Sequence, residues 1–249
     1  MNELERVEAE AVRSAVVAAG GVATEIGGAV CCAYPPLREH PILNRAMPAD
    51  AQVDLDAVES FFAEAGTSFV VTVAPAVVEL ERDLEARGYR RAEGWTKFLR
   101  DMAPPPAVES SAAVTAIGAE VAPAFARVLV EGFGGPPQGA DVWKRVPGVR
   151  GWHCFVAWEG DEPAAAAALF VDGDVGWLGA AATHPAFRRR GAQNALLRAR
   201  IERARELALR RLTVETGAPV EGRQGGSYRN ILRAGFREAY VRANWLSPR

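Results

Sequence analysis

Apolar residues recur at the spacing of an α-helix in several segments of the chain. Between residues 54 and 65 they form a single face, and Asp54 is well suited to cap the N-terminus of that helix. Between residues 193 and 208 an apolar face lies opposite a charged one. The same reasoning predicts further helices over residues 3–19, 77–87, 119–132 and 227–233.

Shorter runs rich in β-branched and aromatic residues, bounded by glycine, proline or aspartate, predict strands between these helices. These runs cover residues 22–34, 68–73, 95–100, 154–158, 164–171, 176–183, 212–216 and 240–246. Helices and strands alternate through both halves of the chain, which predicts an α/β protein.

A proline-rich segment divides the chain into two halves. Residues 102–111 contain three successive prolines, which neither continue a helix nor fit a central strand. We therefore predict a first domain over 1–101, a linker over 102–111 and a second domain over 112–249. Each half is long enough to bury a core of its own.

The ends of the two halves resemble each other. Near the end of the first half a predicted helix stops at Gly88-Tyr89, and near the end of the second half one stops at Gly235-Phe236. Each leads into a predicted strand that carries a tryptophan, Trp95 or Trp245. This repetition predicts a duplicated domain.

The composition excludes several classes of protein. The 249 residues are 49 % hydrophobic and 24 % charged, unlike a disordered chain, a collagen or a coiled coil. The net charge of −2 gives no global attraction to nucleic acid, and no apolar run reaches the roughly 18 residues of a membrane span. Three cysteines without metal or disulfide spacing, and an acidic start unlike a signal peptide, lead us to expect a cytoplasmic protein without a membrane partner.

The segment of residues 176–197 carries the clearest chemical signal. A predicted strand enters a short loop with Arg188, Arg189, Arg190 and Gly191, and this loop opens directly into a helix. A helix N-terminus presents unpaired N–H groups and the positive end of the helix dipole. Together with the arginines it predicts a site for a phosphorylated ligand. The P-loop and the GxGxxG dinucleotide patterns are both absent from the sequence.

This segment resembles the GNAT superfamily of acyl-CoA N-acyltransferases. In that family a strand, often a His-Pro pair and then [Arg/Gln]-x-x-Gly-x-[Gly/Ala] precede a helix, and here His184-Pro185 precede Arg188-Arg-Arg-Gly191-Ala-Gln193. Gln193 thus replaces the last glycine or alanine. The helix that ends at Gly235-Phe236 is similar to the family's Asn-x-x-Ser/Ala helix, with Gln224 in place of the asparagine. The resemblance covers residues 112–245 well and is faint over residues 1–100.

The resemblance implies two GNAT-like domains, each a central, mainly antiparallel twisted sheet flanked by helices. It implies acetyl-CoA as co-substrate, no metal, and direct attack in a ternary complex by a primary amine, which we expect to belong to a small molecule. A backbone N–H near Ala182 would polarise the thioester carbonyl. The cofactor-binding residues it implies are Ala181, Ala182, Thr183, Arg188, Arg189, Arg190, Gly191, Ala192, Gln193, Asn194, Ser227 and Asn230.

The catalytic residues are where the sequence departs most from the family. Ile231 stands where many members carry a tyrosine that protonates the leaving thiolate, and Tyr228, one helical turn earlier, is the substitute we predict. The strand before the arginine loop has no acid, so Glu215 on the next strand is the predicted general base. Glu131 is the other candidate for that role.

The first half lacks the phosphate-loop pattern, and we expect it to be a degenerate copy that binds no cofactor. The chain would then be a monomer with pseudo-dimeric halves, or a homodimer.

Two other functions stay open: a CoA-binding sensor without catalysis, suggested by the missing tyrosine and acid, and a nucleic-acid-binding protein. The latter would use residues 188–211, which contain nine arginines and only two acidic residues, Glu202 and Glu206. We expect no nucleic-acid partner, because aromatic interleaving is lacking there.

Overall fold

The computed structural model describes residues 2–107, 110 and 112–248. The chain forms two compact units. Unit 1 comprises Met1–Lys97, Thr216–Ala218 and Ala239–Arg249, and unit 2 comprises Phe98–Glu215 and Pro219–Glu238.

Helices and strands alternate along the chain, as the sequence predicts. In chain order the helices are α1 (Glu3–Ala18), α2 (Leu55–Ala65), α3 (Val78–Ala86), α4 (Ala122–Phe133), α5 (Ala140–Trp143), α6 (Ala192–Glu206) and α7 (Gly226–Arg233). The strands are β1 (Val22–Ile26), β2 (Ala29–Ala33), β3 (Arg45–Ala49), β4 (Val70–Val73), β5 (Arg90–Arg91), β6 (Trp95–Arg100), β7 (Ala113–Ile117), β8 (Trp152–Glu159), β9 (Glu162–Asp172), β10 (Val175–Thr183), β11 (Arg211–Gly217) and β12 (Arg237–Leu246).

Unit 1 contains a mixed sheet in the order β1-β2-β3-β4-β12, with β5 also paired to β12. Strands β3 and β4 are parallel, and the other pairs are antiparallel. Asp54 precedes helix α2, and its carboxylate accepts a hydrogen bond of 3.1 Å from the backbone N–H of Ala57, which confirms the predicted cap. The core beneath it includes Val58, Phe62 and Trp245.

Unit 2 contains a mixed sheet in the order β7-β8-β9-β10-β11. Its pairs are antiparallel except for β10 and β11, which are parallel. Helices α4 and α6 both pack on β9 and β10, and Leu197 and Ile201 of α6 belong to the core. The predicted class, a mixed α/β fold with sheets flanked by helices, is confirmed in both units.

A repeated succession of elements supports the predicted duplication. Strand β3, helix α2, parallel strand β4 and helix α3 follow one another in unit 1 as β10, α6, β11 and α7 do in unit 2. Both last helices end at a left-handed glycine, with φ of 82° at Gly88 and 86° at Gly235. In each, the N–H of the following aromatic residue bonds the carbonyl five positions earlier, Tyr89 to Leu84 and Phe236 to Ile231.

The structure adds elements that the hydrophobic pattern does not reveal. Strand β3 contains a proline, strand β7 is largely exposed and helix α5 has only four residues, so none of them gives a clear periodic signal. The predicted second domain also includes residues 239–248, which pack in unit 1. Compact units need not coincide with duplicated domains, so the boundaries at 101 and 112 stay a prediction.

The start of the predicted linker is held by Arg100, which donates to the carbonyls of Asp101 and Pro104 (2.8 and 3.0 Å) and to that of Ala234 (2.9 Å). Residues 103–107 have no regular secondary structure. Linker positions 108, 109 and 111 lie outside the described residues. Within the described part of the chain, none of the helices has both the length and the apolar character that a membrane crossing requires.

Unit 1 also buries a cluster of charged side chains under α1. Glu8 accepts hydrogen bonds from Lys97 and from Arg242 (2.6 Å for the latter), and Arg45 lies 3.4 Å away. Glu5 accepts from Arg242 in the same cluster. Burial alone would raise the pKa of Glu8, but these cations together hold the pKa of that carboxyl well below its usual range.

Candidate active site

A cavity of about 560 Å³ lies in unit 2 at the N-terminus of α6. Residues 181–183 at the end of β10, residues 191–194 at the start of α6, and Ser227 and Asn230 of α7 line it. Arg188 and Arg189 line it from the loop, and Gly132 and Phe133 line it from α4. The structure thus brings together all the predicted cofactor-binding residues except Arg190.

The N-terminus of α6 offers backbone donors to this cavity. Gly191 occupies the capping position with φ of 84°, a conformation that favours glycine, and no side chain caps the helix. The first intrahelical bond runs from the N–H of Ala195 to the carbonyl of Gly191 (3.1 Å). The N–H groups of residues 192–194 therefore precede the helical ladder, as an anion-binding helix start requires.

Strand β10 separates from β11 beside the cavity. The two parallel strands pair only over residues 175–177 and 211–213, so the described residues of β11 supply no pairing partner to residues 178–183. On its other side β10 pairs with β9, with a bulge between Gly179 and Ala182 at which Ala180 has φ of 45°. One edge of β10 is thus open to an extended ligand that carries amide groups.

The three loop arginines have different surroundings. The guanidinium of Arg188 donates a hydrogen bond of 2.9 Å to the carbonyl of Gly132, at the end of α4. Arg190 stacks over the ring of Phe187 at 5.3 Å, and it does not line the cavity. Arg189 does line the cavity, so the structure makes it the arginine best suited to contact a bound anion directly.

Gln193, where the family pattern has glycine or alanine, joins α6 to α7. Its side-chain carbonyl accepts from Nδ2 of Asn230 (2.7 Å), and its Nε2 donates to Oγ of Ser227 (3.1 Å). The larger side chain therefore fixes the position of two other predicted cofactor-binding residues at the wall of the cavity.

His184 and Pro185 shape the turn before the arginines. Nδ1 of His184 accepts from the N–H of Ala186 (3.2 Å), which leaves the Nε2 proton of the neutral ring to face Glu131, 3.3 Å away. Glu131 is thus paired with this turn. The position of the His-Pro pair supports a structural role for His184.

The two predicted catalytic residues lie outside the lining of the cavity. Both carboxylate oxygens of Glu215 accept from the indole N–H of Trp177, at 3.0 and 2.9 Å, where β10 and β11 begin to separate. The ring of Tyr228 is buried and packs edge-on against Phe98 at 4.9 Å. Their catalytic roles remain predictions.

Arg200 is a lining residue that the sequence reasoning does not identify. It is 1 % exposed, and it donates to the carbonyls of Leu196 (3.1 Å) and Ala168 (3.2 Å). Burial lowers the pKa of its guanidinium to about 9. Its position on the apolar face of α6, four residues from Leu196 and from Ala204, is a signal that could have revealed it.

The remaining arginines of α6 are engaged locally. Arg198 pairs with Glu202 and Arg203 pairs with Glu206, each at 2.9 Å, and Arg205 donates to the carbonyl of Met102. These contacts reduce the positive charge that this helix presents to a nucleic-acid backbone. Among the described residues, no group of three or more histidine, cysteine or acidic side chains is arranged to hold a metal ion.

The helix of unit 1 that corresponds to α6 in the repeated succession has a different N-terminus. The carboxylate of Asp54 caps α2, and Asp56 adds a second acid in its first turn. Negative side chains thus occupy the position at which α6 has Gly191 and no cap. This electrostatic difference disfavours a phosphate there.

Comparisons with known proteins agree with this geometry. Residues 124–225 match the model of the Acetyltransferase (GNAT) family. A GCN5-related N-acetyltransferase from Kribbella flavida has a similar structure, with a TM-score of 0.71 and 14 % identity, covering 100 % of this chain and 97 % of that one. A GCN5-related N-acetyltransferase from Sphaerobacter thermophilus has a TM-score of 0.63 and 18 % identity, covering 78 % of this chain. The chain spans 66 % of the length of that protein.

A tandem GNAT protein from the clavulanic acid biosynthesis pathway is also similar, with a TM-score of 0.57 and 15 % identity. That similarity covers 82 % of this chain and 74 % of that one. A search of curated protein sequences finds no match. At these identities the structural similarities show the fold alone, and the family model matches residues 124–225.

Proposed function

We propose that the chain transfers the acetyl group of acetyl-CoA to a primary amine of a small molecule, a proposal supported by the match of residues 124–225 to the model of the Acetyltransferase (GNAT) family. The observation that carries this proposal is the convergence of three features on one cavity. These are the uncapped N-terminus of α6, the loop with Arg189 and the open edge of β10.

The residues of the cavity fit the parts of acetyl-CoA. The N–H groups of residues 192–194 and the Arg189 guanidinium would bind the pyrophosphate. The open edge of β10 at residues 181–183 would bind the amide groups of the pantetheine arm, as an added strand binds a sheet edge. Asn230 and Ser227, held by Gln193, close the cavity on the side of α7.

The proposed reaction needs a neutral amine close to the thioester. The amine nitrogen attacks the thioester carbonyl carbon, the C–N bond forms, the C–S bond breaks, and the proton lost by the amine balances the thiolate that leaves. A backbone N–H near Ala182 would stabilise the oxyanion. Glu215 is our candidate for the base, acting directly or through water, and Tyr228 is our candidate for the acid.

A second function, binding of CoA without turnover, is favoured by a specific observation. The ring of Tyr228 packs in a hydrophobic core and Ile231 is buried beside it, while Glu215 is bound to Trp177. A chain in which these groups stay in place would bind the cofactor and act as a sensor. The acetyl transfer assay decides between the two functions.

The experiment measures release of the CoA thiol from acetyl-CoA with a thiol-reactive dye, over a panel of small primary amines. We expect amine-dependent release by the wild-type chain. The Arg189→Glu variant should raise the KM for acetyl-CoA at least about tenfold, the effect of losing one charge-assisted hydrogen bond. Arg223→Glu changes the charge equally at an exposed position outside the cavity, and it should leave KM unchanged.

Acetyl-CoA binding without release for any amine would favour the sensor function. Equal KM values for Arg189→Glu and Arg223→Glu would contradict the assignment of the arginine loop to the pyrophosphate.

A further inference from the structure

Arg200 is one of four buried arginines among the described residues, and its partners differ from those of the other three. In unit 1, the buried Arg242 donates to the carboxylates of Glu5 and Glu8, and the buried Arg45 lies 3.4 Å from Glu8. In unit 2, Arg200 is equally buried, yet the described residues place no carboxylate within ion-pair distance of it. Arg100 of unit 2 is also buried without a paired carboxylate, but its Nε, Nη1 and Nη2 all donate to backbone carbonyls. Arg200 has neither an acid nor a full set of carbonyl partners.

Only part of the Arg200 guanidinium is used by the protein. Nε donates to the carbonyl of Leu196 (3.1 Å), and Nη1 donates to the carbonyls of Ala168 (3.2 Å) and Gly179 (3.5 Å). For Nη2, the described residues supply no hydrogen bond. Because Arg200 lines the cavity, Nη2 is the donor that remains for a molecule bound there.

The hydrogen bond from Arg200 to Gly179 places this donor next to β10, the strand whose open edge lines the cavity. Gly179 begins the bulge of β10, and the open edge at residues 181–183 follows it. Arg200, whose Nη1 donates to the carbonyl of Gly179, and the proposed pantetheine site at residues 181–183 therefore line the same cavity. On the proposed function, a group attached to the thioester carbonyl, or an acceptor that approaches it, would enter this part of the cavity.

An uncompensated buried cation is costly, since the charge has lost its hydration without gaining an anion. The backbone carbonyls around Arg200 offset part of that cost. The low pKa of about 9 reflects what they do not offset. A carboxylate would complete the site through short, charge-assisted hydrogen bonds.

We propose that Arg200 binds a carboxylate group carried by one of the two substrates, and thereby determines which substrates react. The carboxylate belongs either to the acyl group, as in a dicarboxylic acyl-CoA, or to an acceptor of the amino-acid class. This inference rests on the proposed function, because it places both substrates in the cavity of unit 2.

The first experiment uses the wild-type chain and pairs of compounds that differ only by the carboxylate. In the donor arm, binding of succinyl-CoA is compared with binding of butyryl-CoA by calorimetry. In the acceptor arm, kcat/KM for 4-aminobutyrate is compared with that for butylamine, and glycine with ethylamine. We expect the carboxylate compound to be favoured by about 10- to 100-fold in one of the two arms.

The second experiment assigns that preference to Arg200. Arg200→Met keeps an apolar stem of similar length and should abolish the preference, with folding checked by thermal unfolding. Arg203→Met is the matched control, since Arg203 lies on the same helix, pairs with Glu206 and does not line the cavity. It should keep the preference at its wild-type size.

Absence of a preference in both wild-type arms, while CoA binds, would overturn the inference and leave the proposed function standing. A preference that persists in Arg200→Met would also overturn it. Failure of all CoA compounds to bind would remove the proposed function and this inference together. If Arg200→Met does not fold, the wild-type arms decide.

Discussion

The substitution Gly132→Ala tests whether α4 and β10 must lie in close contact at the cavity. Gly132 is in the last turn of α4, and a Cβ atom added there would lie 2.6 Å from Cβ of Ala182 and 3.1 Å from the carbonyl oxygen of Thr183. Carbon atoms in contact are normally about 3.5–4.0 Å apart. The helix and the strand would therefore have to separate by about 1 Å.

This separation determines how much stability the substitution should cost. Overpacking of a well-packed site costs about 1–3 kcal/mol, and the better helix propensity of alanine offsets up to about 1 kcal/mol. We expect the free energy of unfolding of unit 2 to fall by about 1–2 kcal/mol, which corresponds to a fall in Tm of about 3–8 °C. The affinity for acetyl-CoA should fall as well, because Ala182 and Thr183 line the cavity.

The assay is thermal unfolding with and without acetyl-CoA, with Gly135→Ala as the control. An added Cβ at Gly135 meets no atom within 4 Å, so this variant should stay within about 0.5 kcal/mol of the wild type. If Gly132→Ala matched the wild type in both Tm and affinity, the contact between α4 and β10 would not shape the site, and the reasoning would be refuted.

Three further predictions concern other parts of the chain. Glu8 has a lowered pKa, so its contribution to stability is present above its unfolded pKa of about 4.3 and is lost as the pH falls below that value. Glu8→Gln should lower the free energy of unfolding by about 3–5 kcal/mol at pH 7 and should flatten its dependence on acid pH. Urea midpoints measured against pH test this, and a profile equal to that of the wild type would contradict it. Glu215→Gln should lower kcat with little effect on acetyl-CoA affinity, and full activity would exclude Glu215 as the base. Gln193→Ala removes the bonds to Ser227 and Asn230 and should cost about 1–2 kcal/mol in urea unfolding, whereas an unchanged midpoint would show that these bonds do not stabilise unit 2.

Local patterns in the sequence are sufficient to predict the elements that have strong local causes. The cap of α2 by Asp54 follows from a side chain and a backbone N–H three residues apart. The helix ends at Gly88 and Gly235 follow from the left-handed conformation that glycine tolerates. The loop before α6 also has local causes, since its arginines and Gly191 directly precede the N-terminus of that helix in the sequence.

Features that depend on distant contacts are not visible in the sequence. Nothing local indicates that residues 239–248 pack in unit 1, because pairing of β12 with β4 joins residues far apart in the chain. Arg200 escapes notice for a similar reason. In a helix rich in arginine, one more arginine is typical of a solvated face. The spacing of Arg200 from Leu196 and Ala204 hints at the apolar face, and its packing against β9 and β10 shows that it is buried.

The catalytic predictions show the same limit in the site itself. Tyr228 lies one helical turn from the position of the family's tyrosine, which favours it by spacing, but its ring packs against Phe98 in the core. Glu215 lies on β11, the strand that separates from β10, yet its carboxylate accepts a hydrogen bond from Trp177. Spacing along one element predicts a side chain's position, whereas its orientation depends on the elements packed around it.

Calorimetric titration of the chain with acetyl-CoA tests the central claim most directly. The uncapped N-terminus of α6, which lines the cavity of unit 2, and the acid-capped α2 together predict one equivalent bound per chain. They also predict an affinity that Arg189→Glu lowers at least about tenfold. The account would be contradicted if acetyl-CoA did not bind at concentrations up to about 1 mM. It would also be contradicted if two equivalents of acetyl-CoA bound per chain with similar affinity.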